Sequence, residues 1–264
     1  MKVDYIKQGD CVKVMKTFPD NFIDLTVTSP PYDDLRSYKG YTWNFEEVAK
    51  ELYRVTKQGG VVVWVVDDAT IKGSETGTSF KQALFFMSIG FNLHDTMIYM
   101  KNGSQYPERV RYYKCFEYMF VFSKGKPKTI NLICDRQNKW AGSWGKRSLR
   151  KKDGTLEQKE KVPYKAFGIR YNVWKINCGF GFTTKDKEAY MHPAMFPEKL
   201  AGDHILSWSK EGDIVLDPFV GSGTTTKMAK LYNRHYIGID ISKEYCELAR
   251  RRTENIDRLL GKKA

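Results

Sequence analysis

The chain has 264 residues, 41% of them hydrophobic and 28% charged, enough to bury one full core, or a core with one sizeable insertion, without disulfides. Five scattered cysteines (Cys11, Cys115, Cys134, Cys178, Cys246) form no CxxC pair, the start MKVDYIKQGD is polar, and the longest strongly apolar run, Val61 to Val66, is far too short for a bilayer, which excludes a zinc site or other metal, a disulfide framework, a secretory leader and a membrane span, and leaves a cytoplasmic setting as the expectation. The formal net charge is +13, and Lys124 to Lys175 holds 15 Lys and Arg against 4 Asp and Glu, so +11 of it sits on one module that suits an acidic partner or else is a solvated, lysine-rich loop region.

In chain order, Ile23 to Thr28 (IDLTVT) predicts a buried strand that ends at Pro30 and Pro31. Phe45 to Thr56 predicts an amphipathic helix, with Val48, Leu52 and Val55 on one face and Gly59-Gly60 as its stop. Val61 to Val66 is β-branched and apolar, as a strand buried on both faces is. Phe80 to Ser88 reads as a helix ending at Gly90, and Leu93 to Met100 and Phe116 to Phe122 as two more strands. Patterning weakens from Lys124 to about Met191, which is basic and rich in Gly, Trp and Tyr. It returns with a helix over Pro197 to Ser207, a strand over Ile214 to Leu216, a helix over Thr224 to Leu231, a strand over Tyr236 to Ile239 and a long basic helix from Lys243 to about Leu259. Alternating strands and helices predict an α/β fold, a Rossmann-like parallel sheet with helices on both faces, interrupted by the basic insertion. The expected division is a first half over 1–123, an insertion over 124–190 and a second half over 191–264. Ligands of such sheets collect at the carboxyl ends of the strands.

The stretch DPFVGSGT, Asp217 to Thr224, follows a strand and opens a helix. Gly221 and Gly223 let the backbone turn sharply and approach a ligand. No glycine here is followed by lysine, and Thr226 replaces the third glycine of GxGxxG, so neither a P-loop nor a dinucleotide turn is complete. The next strand ends at Asp240, where an acid can accept hydrogen bonds from both hydroxyls of a ribose. A nucleoside without a pyrophosphate fits, and S-adenosyl-L-methionine is one; the alternative is an ordinary strand-turn-helix with a capping aspartate.

Thr28-Ser29-Pro30-Pro31-Tyr32 closes the first strand. Two prolines hold an extended turn and leave the Pro30 carbonyl unclaimed by sheet or helix. Ser29 adds a hydroxyl and Tyr32 an aromatic face. An exocyclic amine of cytosine or adenine is a poor nucleophile, because its lone pair is delocalised into the ring. Acceptors on its two hydrogens favour a pyramidal nitrogen aimed at a methyl donor, and an aromatic face replaces the stacking lost when a base leaves the helix. The alternative is a structural Pro-Pro turn.

With these motifs in this order, the chain resembles the circularly permuted, beta-group amino-methyltransferases of restriction-modification systems and phages over nearly its whole length. The resemblance implies transfer of a methyl group from S-adenosyl-L-methionine to a flipped base in double-stranded DNA, inside a bacterial or phage-infected host. Ser29, Pro30, Pro31 and Tyr32 carry over as catalytic, with Ser29 also beside the cofactor. Asp217, Phe219, Gly221, Ser222, Gly223, Thr224 and Asp240 carry over as cofactor residues. Gly9-Asp10-Cys11 resembles the early acidic motif, which implies that Asp10 and Cys11 meet the cofactor's adenine. The segment from His192 and Pro193 to Phe196 and Pro197 resembles the wall of its methionine end, and Phe116 to Ser123 the strand behind the base pocket. Serine before Pro-Pro-Tyr is the more typical cytosine form, so N4 of cytosine is the expected target, with N6 of adenine the alternative. A DNA-binding regulator without activity, and an RNA methyltransferase, are the other classes. A homodimer and a cognate restriction enzyme are partners such a protein can have.

The resemblance also assigns the basic insertion to target recognition. Arg136, Lys146, Arg147, Arg150, Lys151 and Lys152 are its candidate DNA contacts, since cations anchor phosphates and Arg reads guanine edges. Its aromatics, Trp140, Trp144 and Tyr164, are read first as core. Arg36 and Lys39, on the polar stretch from Asp33 to Tyr41, face DNA or cofactor, or lie on an ordinary surface loop.

Overall fold

An eight-stranded sheet organises the first of two units, Met1–Asn131 together with Asn172–Ala264. The computed structural model describes residues 1–31, 43–103, 110–144, 147–159 and 162–259. The strands are β1 (Tyr5–Gln8), β2 (Ile23–Thr28), β3 (Thr56–Val66), β4 (Asn92–Met100), β5 (Phe116–Ser123), β6 (Val173–Lys175), β7 (Ile214–Asp217) and β8 (His235–Asp240). Their order is β1-β8-β7-β2-β3-β5-β4-β6. All run parallel except β5, which is antiparallel to both neighbours.

Among the described residues the α-helices flanking the sheet are α1 (Cys11–Met15), α2 (Phe45–Val55), α3 (Thr78–Ser88), α4 (Glu198–Trp208), α5 (Thr224–Leu231) and α6 (Lys243–Leu259). The two-residue period of β3 divides its side chains between the faces. Val62, Trp64 and Val66 join Val48, Leu52 and Val55 of α2 and Phe86 of α3 in one buried cluster. Val61, Val63 and Val65 are buried on the opposite side. A second helical layer runs from α4 to α5 to α6, with α4 on β2 and α5 on β7 and β8. Among the described residues no helix is long and apolar enough to cross a membrane.

The strands and helices expected from the pattern are present, with two shifts at the start of β3. Helix α2 stops at Val55, one residue early: the Thr56 hydroxyl donates to the Leu52 carbonyl at 2.6 Å while the Thr56 backbone turns extended. Gly59-Gly60 therefore lies within β3 and does not stop the helix. The pairing register slips there, and Gly59, at φ +77°, lets the Lys126 and Lys128 backbone come close. Strands β1 and β6 and helix α1 were not anticipated; each spans three to five residues, too few for a period to show.

The second unit is Leu132–Tyr171, within the 124–190 span where regular patterning weakens, and residues 124–131 and 172–190 group with the first unit. It holds two small antiparallel ladders, Arg147–Arg150 with Leu156–Lys159 and Arg136–Gln137 with Phe167–Gly168. Trp140 and Trp144 are 71% and 67% exposed there, which corrects their reading as core. Two-residue and four-residue ladders have no second layer against which to bury an indole. Two cations at the start of the basic stretch are structural. Lys124 Nζ donates to the Tyr53 and Thr56 carbonyls at 2.8 and 3.1 Å, and Lys128 pairs with buried Asp24 at 2.9 Å.

Candidate cofactor and catalytic site

From the middle of the sheet the chain leaves β2 toward β3 on one side and β7 toward β8 on the other, so the carboxyl ends of β2 and β7 meet at a topological switch point. One buried hydrogen bond ties the two motifs across 189 residues of sequence: Thr28 Oγ1 donates to Asp217 Oδ1 at 2.7 Å. The Phe219 N–H donates to the same oxygen at 3.1 Å. Burial pushes the Asp217 carboxyl up to about 6, despite the Thr28, Thr225 and Phe219 hydrogen bonds that pull it down; Asp240 adds to the rise. Ser29 and Pro31 are half-buried beyond Thr28, and Pro30 between them is buried.

The turn after β7 needs its glycines for two different reasons. Gly221 has φ +46°, and a Cβ on it would sit 2.8 Å from His192 Nε2. Gly223 has φ +82°, and its Cβ would lie 2.7 Å from the Ala249 Cα of α6, so this glycine serves helix packing. Helix α5 then starts with Thr224, and Thr225 Oγ1 donates to the Val27 carbonyl at 3.0 Å, a second tie to β2. Ser222 and Thr224 are buried, their hydroxyls 3.4 Å apart.

Asp240 ends β8 and receives the Gly221 N–H on Oδ2 at 3.0 Å and the Ser242 N–H on Oδ1 at 2.8 Å. Those bonds aim the carboxylate and leave each oxygen a further lone pair. Burial pushes its carboxyl up as well. Asp10 caps α1, accepting the Lys13 N–H at 2.8 Å, and Gly9 N–H donates to the Asp240 carbonyl at 2.9 Å, which brings the early motif alongside. Burial, followed by the Asp10 charge, drives the Cys11 thiol up to about 12, so it stays protonated at neutral pH and is no nucleophile. His192 is buried against the glycine-rich turn, with its ring 4.3 Å from Tyr245 and Nδ1 accepting the Ala194 N–H at 3.2 Å. Pro197 is buried at the start of α4, Phe196 half-buried and Pro193 exposed. Phe219 is half-buried, 5.0 Å from the Trp43 ring.

One residue of this region gave no sign in the sequence. Arg252, within the basic helix α6, is fully buried. Its Nε donates to Asp186 at 2.7 Å, Nη2 to Glu198 at 2.9 Å and Nη1 to the Ser222 carbonyl of the turn. Lys227 and Thr184 close on the same Glu198 oxygen at 2.7 and 2.6 Å. The turn is thus held from behind by a buried ionic network.

Tyr32, Arg36, Lys39 and Lys146, and the side chain of Arg147, lie outside the described residues. In the second unit Arg150, Lys151 and Lys152 are exposed, with Lys151 3.6 Å from Glu157. Arg136 is engaged within that unit, its Nε on the Ile169 carbonyl at 2.9 Å and its guanidinium 4.9 Å above the Tyr171 ring.

The site suits S-adenosyl-L-methionine. Asp240 keeps acceptor capacity for hydroxyls, a Cβ at Gly221 would close the turn, and a buried carboxylate at Asp217 favours a cation nearby. A mostly parallel sheet with one reversed strand and this turn at its switch point is the architecture of S-adenosylmethionine-dependent methyltransferases. The family described as DNA methylase, grouping N6 and N4 enzymes, matches residues 23–251. The chain is 64% identical over 252 residues to the orphan methyltransferase M.BamHII of Bacillus amyloliquefaciens, covering 94% of this chain and 91% of that one. The cytosine-N4-specific PvuII DNA methyltransferase shares the fold with a TM-score of 0.68 at 20% identity, over 99% of this chain and 92% of that one. The M1.HpyAVI–SAM complex does so at 0.62 and 21%, over 94% and 98%. The chain belongs to the N6/N4 DNA methylase family: it is an S-adenosylmethionine-dependent DNA methyltransferase.

Proposed function

We propose that this enzyme methylates N4 of cytosine, taken out of the DNA helix into the site at the end of β2. The observation that carries the reading is Ser29, standing before the two prolines at the strand end that Thr28 ties to the cofactor turn. The bound cofactor supplies an electrophilic methyl group on a sulfonium. Ser29 and the Pro30 carbonyl accept the two amine hydrogens, which turns the nitrogen lone pair out of the ring plane. Tyr32 stacks on the extruded base. Asp240 holds the ribose hydroxyls, Asp10 and Cys11 flank the adenine, and the segment from His192 through Pro193 and Phe196 to Pro197 lines the methionine end. Phe219, Gly221, Ser222, Gly223 and Thr224 shape the turn around the cofactor.

In the same reading the second unit is the target-recognition element, and Arg136, Lys146, Arg147, Arg150, Lys151 and Lys152 contact DNA there, as do Arg36 and Lys39, which follow the catalytic turn in sequence. The relative at 64% identity is named an orphan; carried to this chain, that name favours action without a cognate restriction enzyme, and the bacterial cytoplasm is the setting of the reading. Light scattering on the free enzyme reports whether it works as a homodimer.

Incubation with labelled S-adenosyl-L-methionine and mixed genomic DNA, then digestion to nucleosides and mass spectrometry, tests the assignment. N4-methylcytosine is expected. N6-methyladenine as the sole product overturns the choice of base, and no label in any DNA overturns the reading altogether.

A further inference from the structure

Strand β6 forms the edge of the sheet, and CGFGFTT, Cys178 to Thr184, follows its carboxyl end. Because β6 runs parallel to β2, β3 and β7, this loop leaves the same rim that bears Ser29 and the glycine-rich turn. It displays two phenylalanines to solvent, Phe180 at 73% and Phe182 at 65% exposure. Single exposed apolar side chains are common. Two of them on a loop whose backbone is fixed by hydrogen bonds ask for a partner.

The fixing is extensive. Phe182 and Thr183 N–H both donate to the Gly179 carbonyl, at 3.1 and 3.0 Å, and Gly179 N–H donates to Thr183 Oγ1 at 3.0 Å. Gly181 N–H donates to Tyr190 Oη at 2.9 Å, and the Tyr190 ring lies 5.1 Å from the Phe180 ring. Gly179 and Gly181 have φ of +101° and +77°, yet a Cβ on either would meet nothing within 4 Å. These glycines therefore serve the path of the chain, which turns the two rings outward. Thr184 passes the loop into the buried network: its hydroxyl donates to Glu198, Glu198 takes Arg252, and Arg252 holds the Ser222 carbonyl. Exposed lysines flank the loop at 175, 185 and 187, while the neighbouring acids Asp186 and Glu188 pair with Arg252 and Arg251.

Outward aromatic rings on a hydrogen-bonded backbone, set between cations, suit unstacked bases between phosphates. We infer that Phe180 and Phe182 stack on bases of duplex DNA beside the target nucleotide and hold the opened helix while the base occupies the site. Extrusion of a base leaves neighbours with one bare face, and an aromatic ring laid on that face replaces the lost stacking. The loop's tie to the Ser222 carbonyl sets this wedge at a fixed position relative to the cofactor turn. The inference rests on the DNA-methylation reading above, but its readout is separate.

The test measures, by anisotropy with S-adenosylhomocysteine present, binding of a fluorescein-labelled random-sequence duplex in which one cytosine is mismatched, so that its extrusion costs least. Phe180→Ala and Phe182→Ala should each weaken DNA binding about fivefold or more, as loss of a base-aromatic stack does. Phe180→Trp and Phe182→Trp should restore it, and Phe180→Leu should not. S-adenosyl-L-methionine affinity, measured by calorimetry, should stay unchanged in all of them, since both rings point away from the core; this also reports that the variants fold. Unchanged DNA affinity in both alanine variants overturns the inference, as does a leucine variant as good as wild type. A changed sedimentation coefficient with unchanged DNA affinity also overturns it, assigning the loop to self-association. A wild type that binds DNA but never methylates it defeats the functional reading alone.

Discussion

Asp217 lies at the switch point with a carboxyl held at about 6, and Asp217→Asn removes that ionisation with little change of shape. In the unfolded chain the group has its ordinary value of 3.8. The folded state therefore binds this proton more tightly, and the sign follows. The stability conferred is complete below about pH 3.8 and is lost as pH rises through about 6. At roughly 1.4 kcal/mol per pH unit the full loss is about 3 kcal/mol, most of it between pH 4 and 7. The asparagine keeps an oxygen for the Thr28 hydroxyl and the Phe219 N–H but does not titrate. Any constant gain or penalty of the amide cancels when the difference between wild type and variant is compared at two pH values. Urea unfolding at pH 4 and 7 should show that difference moving by about 2–3 kcal/mol in favour of the variant at the higher pH, a large share of a domain's stability. The variant should also bind S-adenosyl-L-methionine more weakly, because the charge that costs stability is the one a sulfonium and an ammonium can use. A difference that stays flat between pH 4 and 7 refutes the placement of an ionising carboxyl in this buried setting.

Asp240→Ala should weaken S-adenosyl-L-methionine binding about tenfold or more by calorimetry, since a hydrogen bond to a charged group contributes roughly 1.5–3 kcal/mol; unchanged affinity removes Asp240 from the site. DNA affinity should fall steeply with salt through counterion release, and neutralising Lys151 and Lys152 together should flatten the slope. A slope that those changes leave untouched takes both lysines away from phosphate.

The sheet and the site were legible to different depths. The segments IDLTVT and DPFVGSGT announce a strand and a strand-turn-helix locally, because burial on both faces and left-handed glycines leave marks within a few residues. Their adjacency is less local: it depends on β2 and β7 pairing across the sheet, which family order implied and the Thr28–Asp217 bond displays. Arg252 was invisible, since an arginine in a basic helix reads as a solvated face. Its burial depends on Asp186, Glu198 and Ser222, none of them near it in sequence. Trp140 and Trp144 misled in the other direction, because large aromatics signal a core only where a second layer exists to cover them. Charge alone does not tell a partner-facing lysine from a structural one: Lys124 and Lys128, at the start of the basic run, anchor the main sheet.

The central claim is that Ser29, at the end of β2, acts on the amine of a cytosine. Expression of wild type and Ser29→Ala in a host without other DNA methylation, followed by base-resolved sequencing of modified nucleotides, tests it most directly. On the proposed reading the Ser29 hydrogen bond strengthens as the amine becomes nucleophilic, so its loss should depress turnover far more than cofactor affinity. The account predicts N4-methylcytosine at one fixed sequence in the wild-type host, largely absent with Ser29→Ala although the purified variant still binds S-adenosyl-L-methionine. Full methylation by the Ser29→Ala enzyme, or modification confined to adenine, contradicts it.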